Sequence, residues 1–116
     1  MRALGAKVKR AIETDPFYRT CARWEDGGCS YHITMEHALI YGGQQIDEPW
    51  AIIPLCTWHH GVNEHQDGGN LDKSKNVWIA LNRATDEDLL KYPRVNFIRE
   101  RSRINLIYGT YHTISL

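Results

Sequence analysis

The 116 residues, 42% hydrophobic and 24% charged, suit a single globular domain with a modest core and leave too little chain for a second one. No apolar run approaches the roughly 20 residues of a membrane helix, and the opening MRALGAKVKRAIETD has no long apolar signal region, so a soluble, cytoplasmic protein with no membrane partner is expected. The formal net charge of zero hides a strong asymmetry: the stretch from Trp24 to Asp72 has eight acids and no Lys or Arg, and all fourteen basic residues lie in the flanks against six acids. Such a middle suits a cation, and flanks carrying Arg2, Lys7, Lys9 and Arg10 on one side and Arg94, Arg99, Arg101 and Arg103 on the other suit a polyanion.

Leu4, Val8, Ala11 and Ile12 recur at helical spacing, which predicts an amphipathic helix over about 2–14 that ends before Asp15-Pro16 and turns its basic side outward. Cys21 and Cys29 bracket ARWEDGG, whose Asp-Gly-Gly marks a tight turn, so this stretch reads as a loop folded between two anchors. The β-prone runs HITMEHALIY and WAIIPLC, joined by GGQQIDEP, should pair as antiparallel strands. A short helix through Trp58, His59 and His60, and on towards Val62, should then stop before Gly68-Gly69-Asn70, giving a β-β-α unit over about 30–66.

In the extension over about 71–116, Val77, Trp78, Leu81 and Ala84 mark a helix from near Asp72. Thr85 then caps an acid-rich start, DEDLLKY, that Pro93 stops. The final INLIYGTYHTISL alternates around Gly109 and reads as a short hairpin or edge strand. The expected class is therefore α+β, one domain over 1–116. Trp24, Trp50, Trp58 and Trp78 are assigned to its core rather than to base stacking.

Three cysteines leave one thiol over in any disulfide scheme, whereas five of the six histidines fall between His32 and His65, so metal ligation is the better account of the thiols. Cys56-x-x-His59 is one zinc knuckle; Cys21 and Cys29 would complete a closed tetrahedral site, with His32 or His60 as alternatives for one ligand. The residue after a helical ligand points about 100° away. His60 is then free to face a second cation, Mg²⁺ or Mn²⁺, held with the Glu36 carboxylate, and His37 could act as a base if the strand turns it to the same phosphate. Strand alternation opposes that unless a bulge or strand end intervenes.

At these residues the chain resembles the HNH endonucleases, and more closely their zinc-stabilised members common in phages and prophages. CSYHITMEHALIYGGQQIDEPWAIIPLCTWHH follows that family's order of knuckle, acid-histidine, Gly-rich loop, apolar-Pro-Leu-Cys strand and closing histidine, over about residues 17–65. The resemblance implies a ββα-metal core, a general base at His37, Glu36 in place of the family's usual Asp as metal ligand, and His60 as the closing ligand. It also implies a structural zinc and DNA phosphodiester cleavage in phage DNA processing or recombination. The family's middle Asn falls on Ala51, five residues before Cys56, with Asp47, Asn63 and His65 as nearby substitutes.

Weak sequence preference and strong salt sensitivity are expected, since the basic flanks would hold phosphates. One active centre nicks, and cleavage of both strands would take two copies, which leaves a homodimer open. Ala51 motivates an alternative: a catalytically impaired, zinc-stabilised DNA- or protein-binding module. A third reading is an adaptor or inhibitor whose acidic middle meets a basic protein.

Overall fold

The computed structural model describes residues 4–60 and 74–115, with side chains as far as Ile107. Helix α1, Ala6–Thr14, ends where Asp15 turns extended ahead of Pro16, whose ring cannot continue the hydrogen-bond ladder. Asp15 then accepts the Phe17 amide and caps a 3₁₀ turn, Pro16–Arg19. Val8 is completely buried against Tyr18 and Ile52, with Leu4, Ala11 and Ile12 beside it, while Lys7, Lys9 and Arg10 stay exposed.

Strands β1, Ile33–His37, and β4, Ile52–Cys56, pair antiparallel from Ile33↔Cys56 to His37↔Ile52. All five residues of β4 are buried. Pro54 is tolerated because the sheet has only two strands, so the side without an N–H owes no ladder bond; its carbonyl instead takes the Ala22 amide at 2.7 Å and ties the cysteine loop to the strand. Between these strands a smaller hairpin, β2 (Ile40–Tyr41) with β3 (Gln44–Gln45), turns on Gly42 and Gly43 at φ 61° and 80°, the left-handed pair that a tight hairpin demands. The expected pairing of the two apolar runs is thus found, with a second hairpin inserted in the loop.

Helix α2, Thr57–His60, follows β4 directly. The expected continuation to Val62, the Gly68-Gly69-Asn70 break and the helix start near Asp72 lie outside the described residues. Helix α3, Ser74–Arg83, buries Trp78, Ala80 and Leu81 in the main core with Ile53, Leu55 and Cys56. Helix α4, Asp86–Leu89, begins at a reciprocal capping box between Thr85 and Asp88, the start that the acid-rich run signalled.

The expected C-terminal hairpin is not formed. Helix α5, Phe97–Ser115, occupies that stretch. Phe97, Arg101, Ile104 and Asn105 recur at helical spacing and face α3: Phe97 and Ile104 are buried, and Asn105 accepts from Trp78 Nε1 at 2.6 Å. The Arg101 guanidinium donates to the Leu81 and Ala84 carbonyls at the end of α3. A face that matches a partner helix outweighs the β propensity of Ile, Leu and Tyr. Of the four tryptophans, Trp50 and Trp78 are buried and Trp58 packs on the core, but Trp24 is 63% exposed, a correction to its core assignment. Trp24 lies in a 3₁₀ turn of the cysteine loop, where no second element among the described residues covers its ring.

Candidate metal centre

The folded loop from Cys21 to Cys29 and the β4–α2 junction converge. Cys21, Cys29, Cys56 and His59 place one ligand atom each within 4.8 Å of one another. Cys21, Cys29 and Cys56 Sγ stand 3.4, 3.5 and 3.2 Å from His59 Nδ1. A thiolate and an imidazole on one tetrahedral zinc stand about 3.6 Å apart, so the donor set and its spacing fit zinc. Neither His32 nor His60 belongs to this group.

The wide spacing between the two cysteines is closed by Gly27 and Gly28, at φ 80° and 77°, which bend the chain back beneath Trp58. Burial pushes the Cys21 thiol up. Cys29 is pushed up to about 12 by burial and by the neighbouring Cys21 charge. Burial acts the same way on Cys56, but the His59 amide and Ser30 outweigh it and hold this thiol down to about 6.

One residue beyond His59, His60 turns towards β1. Its Nε2 is 3.9 Å from Glu36 Oε1, and both side chains keep some solvent access. The Thr34 hydroxyl donates to the Leu55 carbonyl at 2.8 Å and stands 2.5 Å from His60 Nδ1. A hydroxyl has one proton, so Thr34 must accept from Nδ1–H, which leaves the Nε2 lone pair facing Glu36. Two ligand atoms about 2.1 Å from a Mg²⁺-sized cation stand about 3.0 Å apart when adjacent and about 4.2 Å when opposite, so from 3.9 Å the two side chains would have to shift by a few tenths of an ångström to share such an ion.

Glu36 is also held by Asn76, whose amide donates to Oε2 at 2.8 Å. Nothing in the spacing of the sequence marks Asn76: it lies 40 residues away in α3, and only the packing of α3 on the sheet brings it to Glu36. Behind it Arg23 donates to Asn76 Oδ1 at 3.2 Å, and Asp26 bridges Arg23 and Lys75 at 2.7 and 2.5 Å.

The structure does not bring His37 to this group. His37 is the last residue of β1 yet keeps the regular register opposite Ile52, and Ile52 packs on Val8 and Tyr18 beneath α1. The pleat therefore sends Glu36 and His37 to opposite faces, with no bulge to reverse them. The His37 side chain is fully buried, its nitrogens have no hydrogen-bond partner among the described residues, and its nearest acid is Asp47, Oδ1 at 3.6 Å. Asp47 also accepts the Gly5 amide at 2.9 Å, and Ala51 is buried under α3. Asn63 and His65 lie outside the described residues.

The basic flanks are engaged to different degrees. Lys7 meets Glu48 at 3.4 Å, Arg103 meets Glu100 at 2.5 Å, and Arg94 lies 5.1 Å over the Tyr41 ring. Arg101 pairs with Asp86 as well as with the α3 carbonyls. Lys9, Arg10 and Arg99 are exposed, and Arg2 lies outside the described residues. No family model, no curated protein and no solved structure matches this chain significantly.

Proposed function

We propose that the protein is a zinc-stabilised, metal-dependent DNA endonuclease of the HNH kind, nicking phosphodiester bonds with little sequence preference, and that β1, β4 and α2 form its ββα-metal core. The phage or prophage setting, in DNA processing or recombination within a bacterial cytoplasm, rests on the sequence resemblance. The observation that carries the proposal is the Glu36–His60 pair, facing across 3.9 Å one residue from the zinc ligand His59.

A Mg²⁺ or Mn²⁺ ion bound there would polarise the scissile phosphate and stabilise the departing oxygen. The chain's own part is to hold that site. Glu36 contributes charge, and Thr34 keeps the His60 proton on Nδ1. The zinc ligands fix α2 against the cysteine loop so that His60 stays beside β1. Exposed Lys9, Arg10 and Arg99 suit phosphates flanking the cut.

Nicking of supercoiled plasmid by the zinc-loaded protein tests this. Turnover should require Mg²⁺ or Mn²⁺, cease with EDTA, and fall at least a hundredfold in Glu36→Ala and His60→Ala. Inactive wild-type protein with zinc bound and its fold intact would overturn the proposal.

A second reading, the binding module without turnover, is favoured by the burial of His37 on the far face and by Ala51. Metal-dependent nicking by the wild type divides the two, and His37→Ala, checked for retained zinc and fold, then tests the base. A base at His37 must leave its place beside Asp47 to reach the phosphate, so its removal abolishes nicking. In a binding module the substitution leaves DNA affinity unchanged and there is no nicking to lose.

A further inference from the structure

We infer that Asn76 is a positioning residue that aims the Glu36 carboxylate at the cation gap, and that its own orientation is set by the zinc loop through Arg23. This deepens the proposed cation site and rests on that reading.

The argument begins with which end of the Asn76 amide faces which neighbour. A guanidinium can only donate, so the atom 3.2 Å from Arg23 must be the carbonyl oxygen. The amide nitrogen therefore faces Glu36 Oε2 at 2.8 Å, as a donor to a carboxylate. Asn76 is 3% exposed and Arg23 4%, so water cannot readily replace either contact. With Oε2 held from behind, Oε1 is the oxygen turned to His60. His60 is secured the same way, by Thr34 on the nitrogen that faces away from the gap. Each prospective ligand is thus fixed through the atom that does not ligate, the way hydrogen-bond partners commonly orient the ligands of metal sites.

Arg23 is in turn a loop residue between two zinc ligands. Its amide lies 3.4 Å from Cys21 Sγ, and its side chain is locked by Asp26, which Lys75 of α3 also grips. The zinc loop, α3 and β1 therefore meet in one polar chain that ends on Glu36. Closing the loop over zinc and orienting the carboxylate are a single structural event.

The test is a Mn²⁺ titration of the zinc-loaded full chain, followed by paramagnetic broadening of the His60 imidazole signals. In Asn76→Ala the Mn²⁺ affinity should fall at least tenfold in protein that keeps its full zinc content and still melts cooperatively, at a Tm lowered by the loss of the buried amide's two hydrogen bonds. Asn76→Leu, which keeps the side-chain volume but offers Glu36 no donor, should behave alike and serves if the alanine variant fails to hold zinc. Equal affinity in wild type and variant overturns the inference. Absence of broadening in the wild type overturns both the inference and the cation site. Tight wild-type binding that weakens in the variant, with neither protein nicking DNA, upholds the role of Asn76 and refutes the nuclease.

Discussion

At the Cys21, Cys29, Cys56 and His59 cluster three thiols of one chemical type are made unequal by their surroundings. Within the fold Cys56 is held at about 6, Cys29 raised to about 12 and Cys21 raised by burial. In a chain that unfolds without the metal all three thiols return to about 8.5, so zinc binding at pH 7.5 should displace nearly three thiol protons. Calorimetry in buffers of different ionisation enthalpy counts those protons; about two released would show that the metal-free chain keeps the folded cluster with Cys56 already ionised. This cluster was legible in the sequence because Cys and His are rare and their grouping has few other causes. Asn76 was not, because an ordinary amide acquires meaning only from the Arg23 and Glu36 it touches. His37 shows the opposite limit: adjacency to Glu36 suggested a shared site, and the two-residue period of β1 separated them.

Between elements, polar side chains do much of the joining. Burial raises the Asp26 pKa, but hydrogen bonds from Lys75 and Arg23 outweigh it and leave the carboxyl below its ordinary value. A lowered folded-state pKa adds stability that is full above the unfolded value of about 3.9 and is lost as the pH falls through the folded one. Asp26→Asn should therefore cost about 2–4 kcal/mol in urea unfolding at pH 7, with the deficit shrinking only at pH values below the usual carboxylate range. An unchanged midpoint would show that the pairing of the cysteine loop with α3 adds nothing. Arg101 poses a different question because it was read as a DNA contact, yet it meets the Leu81 and Ala84 carbonyls. Arg101→Ala should lower stability by about 1–2 kcal/mol, whereas the exposed Arg99→Ala should leave stability alone and reduce the salt slope of DNA binding. Gel shifts over a salt series beside urea melts separate the two; a stability loss at Arg99 would contradict the assignment. The same contacts explain why α5 escaped a reading by β propensity, since the helical face that includes Ile104 and Asn105 has value only once α3 lies opposite.

Over the whole molecule, the paired strands, the capped start of α4 and the cysteine–histidine cluster were readable from local pattern, and the way α3 and α5 close over them was not. Cys21 and Cys56 belong to the main apolar core with Leu55, Trp78 and Leu81, so a metal held by them would be more than a local clip. Structural zinc sites supply about 10–16 kcal/mol of binding free energy at neutral pH, as much as the 5–15 kcal/mol by which a typical domain is stable. On the proposed reading, the loop carrying Arg23 should lose its closure when the metal is removed. Removal of zinc by a strong chelator should therefore abolish the near-ultraviolet tryptophan signal and the cooperative melt together, and Mn²⁺ should not restore either. α1 packs through Val8 on Tyr18 and Ile52, a smaller cluster that includes none of the four candidate ligands, but Ile52 reaches it from the same strand as Cys56. Its loss should accompany the rest rather than follow separately. A metal-free protein that still melts cooperatively at the zinc-loaded temperature would show that the apolar core suffices, and would restrict zinc to holding the His60 face in place.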